Sequence, residues 1–242
     1  TISTGFRTPN IDDYGKVFDK NEFVIVPNQN LAPEYVYSAD LGATKYFIGR
    51  KIAVNVDIFY THLTQFLSRQ PSAINGKDSL NFQGSTFKIL SNQNTDQGRI
   101  YGGSAGVVFS PNLHWEIKGN IAYTSGDNLT NSSPLPHIPP LFGNGEVKYK
   151  QKGYFVRAYT FFNGWKYILD YAPAGSADNE DEATPAGTPA WFTLNAQLGL
   201  ELNENLDFSV AVENIADQHY KPFASGISAP GRNVILTLRV SF

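Results

Sequence analysis

The last residues of the chain alternate between apolar and polar side chains. Because successive side chains of a β-strand point to opposite faces, every second residue shares a face. Such alternation alone indicates a half-buried strand of a soluble or a membrane protein. An apolar face that ends in an aromatic residue is typical of a transmembrane strand, which has a lipid-facing surface and aromatic girdles. We interpret this face as the signal for assembly into the membrane, carried by Val234, Leu236, Leu238, Val240 and Phe242.

The same alternation recurs along the whole chain and predicts ten strands. It is clearest over residues 52–61, where apolar residues alternate with polar ones such as Asn55. Two stretches, 154–168 and 86–109, exceed the roughly 9–11 residues that cross the apolar layer. We therefore expect their outer ends to stand above the membrane. The predicted strands are 1–7, 35–44, 52–61, 101–109, 115–123, 141–150, 154–168, 190–202, 205–215 and 231–242.

The connections between these strands alternate in length. Outer-membrane barrels show this alternation, because their periplasmic turns are short and their extracellular loops are long. The pattern therefore predicts an all-β protein, an antiparallel transmembrane β-barrel with its long loops on one side. The short connections are near 48–51, 110–112, 151–153 and 203–205, and the long ones are 8–33, 68–86, 126–138, 169–189 and 215–230.

The composition agrees with a membrane barrel and excludes several other classes. Charged residues make up 17% of the chain and aromatic residues 14%, as lipid-facing surface and interfacial girdles require. The net charge of −3 comes without a basic patch, so nucleic-acid binding has no electrostatic basis. Cysteine is absent, which excludes disulfides and thiolate metal sites. No apolar run reaches the roughly 18–20 residues of a spanning helix, so membrane spanning would require a barrel.

Five segments together resemble the C-terminal part of TonB-dependent outer-membrane receptors, notably those of Bacteroidetes-type bacteria. They are similar to a strand exit of that family, the start of the next strand, the segment that re-enters the barrel, the last loop and the last strand. Their order and spacing across nearly the whole chain make the resemblance specific. In chain order they are residues 3–11, 27–34 with 40–42, 137–144, 212–220 and 229–233, followed by Phe242 as the terminal aromatic residue.

The resemblance implies a closed barrel of about 22 strands, of which residues 1–242 would supply the last ten. The plug domain and the first strands of the family would lie upstream of this chain. Residues 1–7 look like the end of a strand with no signal peptide before them, which agrees with a fragment.

By the same resemblance, the complete receptor would lie in the outer membrane of a Gram-negative bacterium, surrounded by outer-membrane lipid. It would bind a scarce small-molecule nutrient outside the cell. TonB, acting through the N-terminal part, would then drive uptake by pulling on the plug. The nutrient classes implied are siderophore-bound iron, cobalamin and oligosaccharides. Neither a cofactor nor an enzymatic reaction is expected.

The motifs that suggest catalysis or metal binding have simpler explanations. Gly102-Gly-Ser-Ala-Gly106 matches a nucleophile elbow, but that motif needs a strand-to-helix turn, and a strand continues here. The four histidines show no metal-ligand spacing. The acidic run 178–182 lacks the spacing of a calcium-binding loop, and we interpret it as a solvated loop tip. We therefore predict no catalytic residue and no metal site.

Loop aromatics and inward-facing polar residues are the candidates for nutrient contacts. Aromatic rings near the loops could hold a ligand by stacking, although most of them would serve equally well as an outer girdle. Polar residues on the inward faces would line the lumen, contact the plug or form part of a permeation path. The residues proposed on this basis for substrate binding are Trp165, Tyr167, Tyr171, Trp191, His114 and Arg239.

Two other functions stay open from the residues alone. A complete ten-stranded outer-membrane barrel could be an enzyme such as a protease, because ten is an even strand number. A soluble extracellular β-sandwich could be a binding module, and it would have opposed inner faces instead of an outer apolar belt. Pairing of residues 1–7 with 231–242 would favour the enzyme. Edges that do not pair with each other would favour part of a larger barrel.

Overall fold

A computed structural model describes most of the chain, and its secondary structure is almost entirely β. Phe242, the terminal aromatic residue of the assembly signal, lies outside the described residues. These are 1–20, 22–94, 97–173, 178 and 180–241.

Eighteen strands and three short helical segments are present in that part of the chain. The helical segments are α1 (Ile11–Gly15) and two 3₁₀ turns at Ile168–Asp170 and Glu180–Glu182. The strands are β1 (Ile2–Arg7), β2 (Phe18–Lys20), β3 (Phe23–Val26), β4 (Glu34–Phe47), β5 (Ile52–Thr64), β6 (Leu67–Pro71), β7 (Ser79–Phe82), β8 (Ser85–Asn94), β9 (Gln97–Phe109), β10 (Trp115–Asn128), β11 (Ser133–Pro134), β12 (Phe142–Gln151), β13 (Tyr154–Asn163), β14 (Lys166–Tyr167), β15 (Gly187–Thr188), β16 (Trp191–Asn203), β17 (Leu206–Glu213) and β18 (Asn233–Val240).

Ten of these strands form one antiparallel sheet, which we call the barrel wall. Its order is β1-β4-β5-β9-β10-β12-β13-β16-β17-β18, and β11 adds two residues beside the end of β10. Each of the ten predicted strands overlaps one strand of the wall, and their antiparallel arrangement is confirmed. The connections β4–β5, β9–β10, β12–β13 and β16–β17 are short and lie at one end of the wall, as the alternation of lengths predicts.

One face of the barrel wall is apolar from strand to strand. Directly opposite residues of neighbouring strands share a face, and the register places Val56 beside Ala43 and Ala105. Asn55 points to the other side. The apolar side chains are exposed, by 45% for Val56 and 67% for Leu236. Exposing such a belt to water costs roughly 25 cal/mol per Å² of apolar surface. The belt instead suits contact with lipid. The described part of the predicted assembly signal shares this face: Val234, Leu236, Leu238 and Val240.

Aromatic residues mark both ends of the belt. Tyr60 pairs with Tyr101 near the long loops. Trp115 lies beside Tyr149 near the short turns, with ring centroids 5.0 Å apart. From its first residue to His62, strand β5 extends about 33 Å at roughly 3.3 Å per residue. A strand tilt of about 40° reduces this to about 25 Å, which is the height of an outer-membrane apolar band.

The predicted strand 154–168 is shorter than expected. Strand β13 ends at Asn163, and the N–H of Gly164 donates a 2.6 Å hydrogen bond to the oxygen of Leu141. The chain then turns into a separate two-stranded sheet of β14 and β15. The expectation that one continuous strand rises above the membrane here is therefore wrong.

The predicted strand 86–109 is likewise two strands that belong to different sheets. Strand β9 belongs to the barrel wall, whereas β8 leaves it. The side-chain amide of Asn94 donates to the main-chain oxygens of Ala32 and Gln65, and these bonds hold the end of β8 against the loops. The outer part of this stretch, β8, therefore lies beyond the barrel wall, and residues 95–96 between the two strands lie outside the described residues.

Two of the long connections fold together into a second sheet, which we call the outer sheet. Strands β2 and β3 come from the first connection, and β6, β7 and β8 from the second. The order is β2-β3-β8-β6, β7 also pairs with β8, and β3 runs parallel to β8. Among the buried apolar residues of the described chain, only Ala211 belongs to the barrel wall. The packed core therefore lies in the outer loops, and its centre is formed by Val24, Ile25, Ile89 and Leu90.

Strands β1 and β18 are the two edges of the barrel wall, and each pairs with one neighbour among the described strands. Because they do not pair with each other, the ten strands do not close by themselves. The alternative of a complete ten-stranded barrel is therefore wrong. The exposed outer belt likewise contradicts a soluble sandwich with two opposed inner faces. No helix in the described ranges is both long enough and apolar enough to cross a membrane.

Candidate functional site

A cavity of about 490 Å³ lies between three of the outer loops. One wall is strand β6 with Phe66, the second belongs to the loop after β10, and the third is Ala172 with Pro173. The cavity lies on the inward side of the barrel wall. A Cβ placed on Gly98 would lie 2.9 Å from the ring of Phe66, and one on Gly126 would meet loop side chains. Both glycines belong to the inward faces of their strands, so the loops fold over the lumen.

The cavity combines apolar walls with several amide groups and few charges. Its apolar part includes the rings of Phe23 and Phe66. Among the described lining residues, Arg69 is the one cation and Asp13 the one carboxylate. Its volume and lining are those of a small-molecule site, and the amides can both donate to and accept from a ligand. These amides are Gln70, Asn92, Asn128 and Asn131.

The first wall is tied to the barrel by charged groups at the outer end of β1. The guanidinium of Arg7 donates to Asp13 over 2.7 Å and also to Glu34. Glu34 accepts the N–H of Leu67 at the start of β6. Helix α1 holds Asp13 in place, because Asn10 caps its first turn and donates its own N–H to Asp13 over 2.9 Å. Strands β1 and β6 and helix α1 therefore form one connected unit beside the cavity.

The second wall depends on Asn128 at the end of β10. Its side chain is buried, and its Oδ1 accepts the N–H groups of Thr130 over 2.9 Å and of Asn131 over 3.4 Å. This turn reverses the chain, so that Ser133 pairs back with Asn128. The reversal places the buried side chain of Leu135 over the inward face of β10, at Gly126.

The third wall contains Asp178, whose environment differs from the one predicted. Asp178 is 1% exposed, although the acidic run 178–182 is predicted to be a solvated loop tip. Its carboxylate accepts the N–H of His137 over 2.6 Å and the N–H of Ala172 over 3.2 Å. Asn179 lies outside the described residues, and the rest of the run forms an exposed 3₁₀ turn. Neither the hydrophobic alternation nor the charge of this segment predicts that Asp178 is buried.

Tyr171, which was predicted to contact substrate, is buried behind the third wall. Its hydroxyl is 2.6 Å from the Oγ1 of Thr188, and its ring packs edge-on against Phe223. Burial raises the pKa of Tyr171, and the hydrogen bond to Thr188 opposes that shift. The ring supports the loop and does not line the cavity.

The other three predicted aromatic residues lie near the loops but also outside the cavity lining. Trp165 stacks on Tyr167, with ring centroids 5.9 Å apart, and both are exposed. Trp191 stacks on Tyr220 with centroids 4.2 Å apart. Its indole N–H is buried without a hydrogen-bond partner in the described chain. A role of these rings in substrate binding stays a prediction.

His114 and Arg239 lie at the opposite end of the barrel wall. The Nδ1 of His114 is 3.0 Å from the main-chain oxygen of Lys150, beside the short turns. Arg239 lies directly opposite Asp207 in the register of β17 and β18, on the inward face near the end of β18. The structure therefore does not bring the six predicted residues together, and these two are separated from the cavity by the length of the wall.

Inward-facing polar residues of the wall pair with one another. Arg157 donates to Glu146 over 3.0 Å, and the hydroxyl of Tyr159 donates to Glu213 over 3.1 Å. The Nε of Arg157 is buried without a partner in the described chain. The predicted contribution of such residues to a permeation path stays a prediction.

The segment that matches a nucleophile elbow lies within a paired strand. Residues 102–106 lie in the middle of β9, which is paired on both sides, and no helix follows. In the described ranges, no group of three or more His, Cys, Asp or Glu residues is arranged to hold a metal ion.

Comparison with known proteins identifies the family to which this barrel wall belongs. The family model described as "TonB dependent receptor-like, beta-barrel" matches residues 1–215. The chain is 30% identical over 282 aligned residues to the "Probable hemoglobin and hemoglobin-haptoglobin-binding protein 4" of Haemophilus influenzae. That alignment covers 99% of the chain but 27% of the relative.

Solved structures give the same fold at low sequence identity. Copper transporter OprC has a TM-score of 0.76 at 17% identity, the siderophore receptor PirA of Acinetobacter baumannii 0.74 at 17%, and the ferric enterobactin receptor PfeA of Pseudomonas aeruginosa 0.72 at 16%. Each match covers 100% of this chain. It covers 36% of the OprC structure, 38% of the PirA structure and 37% of the PfeA structure. The chain thus spans just over a third of their length.

Proposed function

Since the chain belongs to the TonB-dependent receptor β-barrel family, we propose that it forms the C-terminal part of a receptor for uptake of a scarce nutrient. The protein is located in the outer membrane of a Gram-negative bacterium, like its relatives. Those relatives are receptors and transporters, and the function proposed is transport, not catalysis.

The observation that carries the proposal is the cavity between the outer loops. It lies on the inward side of the wall, above a belt that fits the apolar layer. A ligand bound there would be on the path from the medium to the lumen. Apolar walls and amides suit a compact nutrient carrier, and the first candidate class is an iron–siderophore complex, as bound by the neighbours PirA and PfeA.

Further strands and domains complete the receptor in this proposal. The open edges of β1 and β18 would leave main-chain N–H and C=O groups unpaired in lipid, which is strongly unfavourable. They would pair with other strands of a barrel of about 22. The plug domain would fill the lumen, and TonB would act through it.

A second candidate is capture of a haem protein, suggested by the name of the relative from Haemophilus influenzae. The packed outer sheet offers a firm surface for a protein ligand. Among the described residues that line the cavity, none is His, Tyr, Met or Cys. The described cavity lining would therefore contribute no side chain for coordinating haem iron, and the siderophore class is favoured for this cavity.

The proposal is tested by filling the cavity in the full-length receptor. Ser133→Trp places an indole in the lining, and Leu129→Trp adds the same ring at an exposed position outside it. Binding of ferric enterobactin and of haemoglobin is measured for both variants and the wild type. We expect the cavity variant to weaken binding of one probe about tenfold or more, while the control binds normally. Unchanged binding of both probes by a correctly assembled Ser133→Trp receptor would refute the site.

A further inference from the structure

We propose that Asp178 is a positioning residue for the cavity: its carboxylate ties the loop segments of the second and third walls together and so sets ligand affinity without touching the ligand. The proposal rests on the proposed function of the cavity as the ligand site. Asp178 itself is not among the residues that line the cavity.

One hydrogen bond of the carboxylate reaches the second wall, and the other reaches the third. One oxygen accepts the N–H of His137, directly after the lining residue Pro136, and the other accepts the N–H of Ala172, itself a lining residue. The donors are 35 residues apart in sequence (172 − 137), and among the described strands no β-ladder connects their segments directly. The bridge through Asp178 is therefore a direct link between them.

Burial makes this bridge strong. A fully buried carboxylate is tolerated only with hydrogen-bond donors or an opposite charge, and bonds from N–H groups to an ionised acceptor are stronger than those to a neutral one. Lys166 supplies the opposite charge nearby, since Asp178 is among the groups that raise its pKa against the effect of burial. The Nδ1 of His137 is 3.8 Å from the same carboxylate.

A second tie acts on the same segment. The Nζ of Lys166 donates to the main-chain oxygen of Ile138 over 2.8 Å. The segment 136–138 is therefore held at one residue by the carboxylate and at the next by the ammonium group. Such a wall is preorganised, and preorganisation reduces the entropy lost when a ligand binds.

The test uses the full-length receptor with spin labels at Pro136→Cys and Pro173→Cys, both exposed positions of the two segments. This chain has no cysteine of its own. The label-to-label distance distribution of the labelled receptor reports the relative position of the two segments, and ferric enterobactin and haemoglobin binding, measured on the same variants without the cysteines and labels, reports the site. The variants are Asp178→Ala, which removes both acceptors, and Asp178→Asn, which keeps one. Asp181→Ala, an exposed carboxylate of the same loop, is the control.

We expect a broad distance distribution and about tenfold weaker binding for Asp178→Ala, intermediate values for Asp178→Asn, and wild-type values for Asp181→Ala. Assembly is followed by the heat-dependent mobility of the folded receptor on gels. An assembled Asp178→Ala receptor with a narrow distribution overturns the proposal, and so does a broad distribution with unchanged affinity. If Ser133→Trp has no effect on ligand binding, the proposed function fails by its own result, whereas the distance distribution still decides whether Asp178 holds the wall.

Discussion

The side-chain ammonium group of Lys166 donates a 2.8 Å hydrogen bond to the main-chain oxygen of Ile138. This bond connects the segment after β13 with the loop before β12. The lysine is only 5% exposed, and its Nζ lies 5.2 Å from the centre of the Phe223 ring. Burial lowers the pKa of Lys166, while Asp178 and Asp170 oppose the shift. A buried cation is thus held by an acceptor, a ring and two carboxylates.

Replacing Lys166 with Met should loosen the loop before β12. The change keeps an unbranched side chain that is one atom shorter but leaves the oxygen of Ile138 without its donor, at a cost of about 1–3 kcal/mol. Hydrogen exchange of peptides that contain residues 135–141 should be faster than in the wild type. Lys152→Met, in an exposed turn at the other end of the wall, should leave these rates unchanged. Equal rates in all three proteins would contradict the stabilising role of the bond.

The loops should also become more stable as the pH rises towards the ordinary lysine pKa of 10.5. The pKa of Lys166 is lower in the folded loop than in the unfolded one. Between the folded-state pKa and 10.5 the unfolded loop therefore binds more protons than the folded loop. The free energy of unfolding increases with pH in this window. The raised pKa of Tyr171 has the opposite effect, but only above its ordinary value of 10.0. The slope of the free energy of unfolding against pH is measured by urea denaturation between pH 7.5 and 9.5. Unfolding of the loops is followed through a fluorophore attached at Pro173→Cys. Lys166→Met should flatten it, and an identical slope in that variant would assign the effect to another group.

Substitution of Gly187 should disrupt the small sheet behind the third wall. Its φ of +111° is unfavourable for other residues, and an added Cβ would lie 2.0 Å from the oxygen of Lys166. We expect Gly187→Ala to destabilise the pairing of β14 with β15 by at least about 1–3 kcal/mol. Gly226→Ala is the matched control, because nothing lies within 4 Å of its Cβ position. Trypsin cleavage of the folded receptor at the outer loops should accelerate only in Gly187→Ala, and resistance equal to the control would show that the site accommodates a side chain.

A charge in the middle of the belt should hinder assembly in the membrane. Val56→Arg places a guanidinium at the centre of the lipid-facing surface, where the cost is about 2–4 kcal/mol. Asn55→Arg adds the same group one residue earlier, on the inward face. The amount of folded receptor in outer membranes should fall in the first variant much more than in the second. Equal amounts would mean that this face is not in contact with lipid.

Much of the barrel wall was predictable because its signal is local. The alternation in residues 52–61 reports which face of β5 is apolar, and a strand needs no distant information to show it. The lengths of the connections gave the order of turns and loops in the same way. For β18, the alternating residues from Val234 to Val240 identified the lipid-facing side directly.

What the tertiary structure alone decided is how the long connections fold. The parallel pairing of β3 with β8 joins residues more than 60 positions apart, for example Val24 with Ile89, and alternation within one segment carries no information about such a partner. The same holds for Asp178, whose acidic neighbours indicate a solvated tip. Its burial follows from two main-chain N–H groups that only the folded loops bring together. Sequence periodicity therefore determined the wall, and long-range packing determined the cavity.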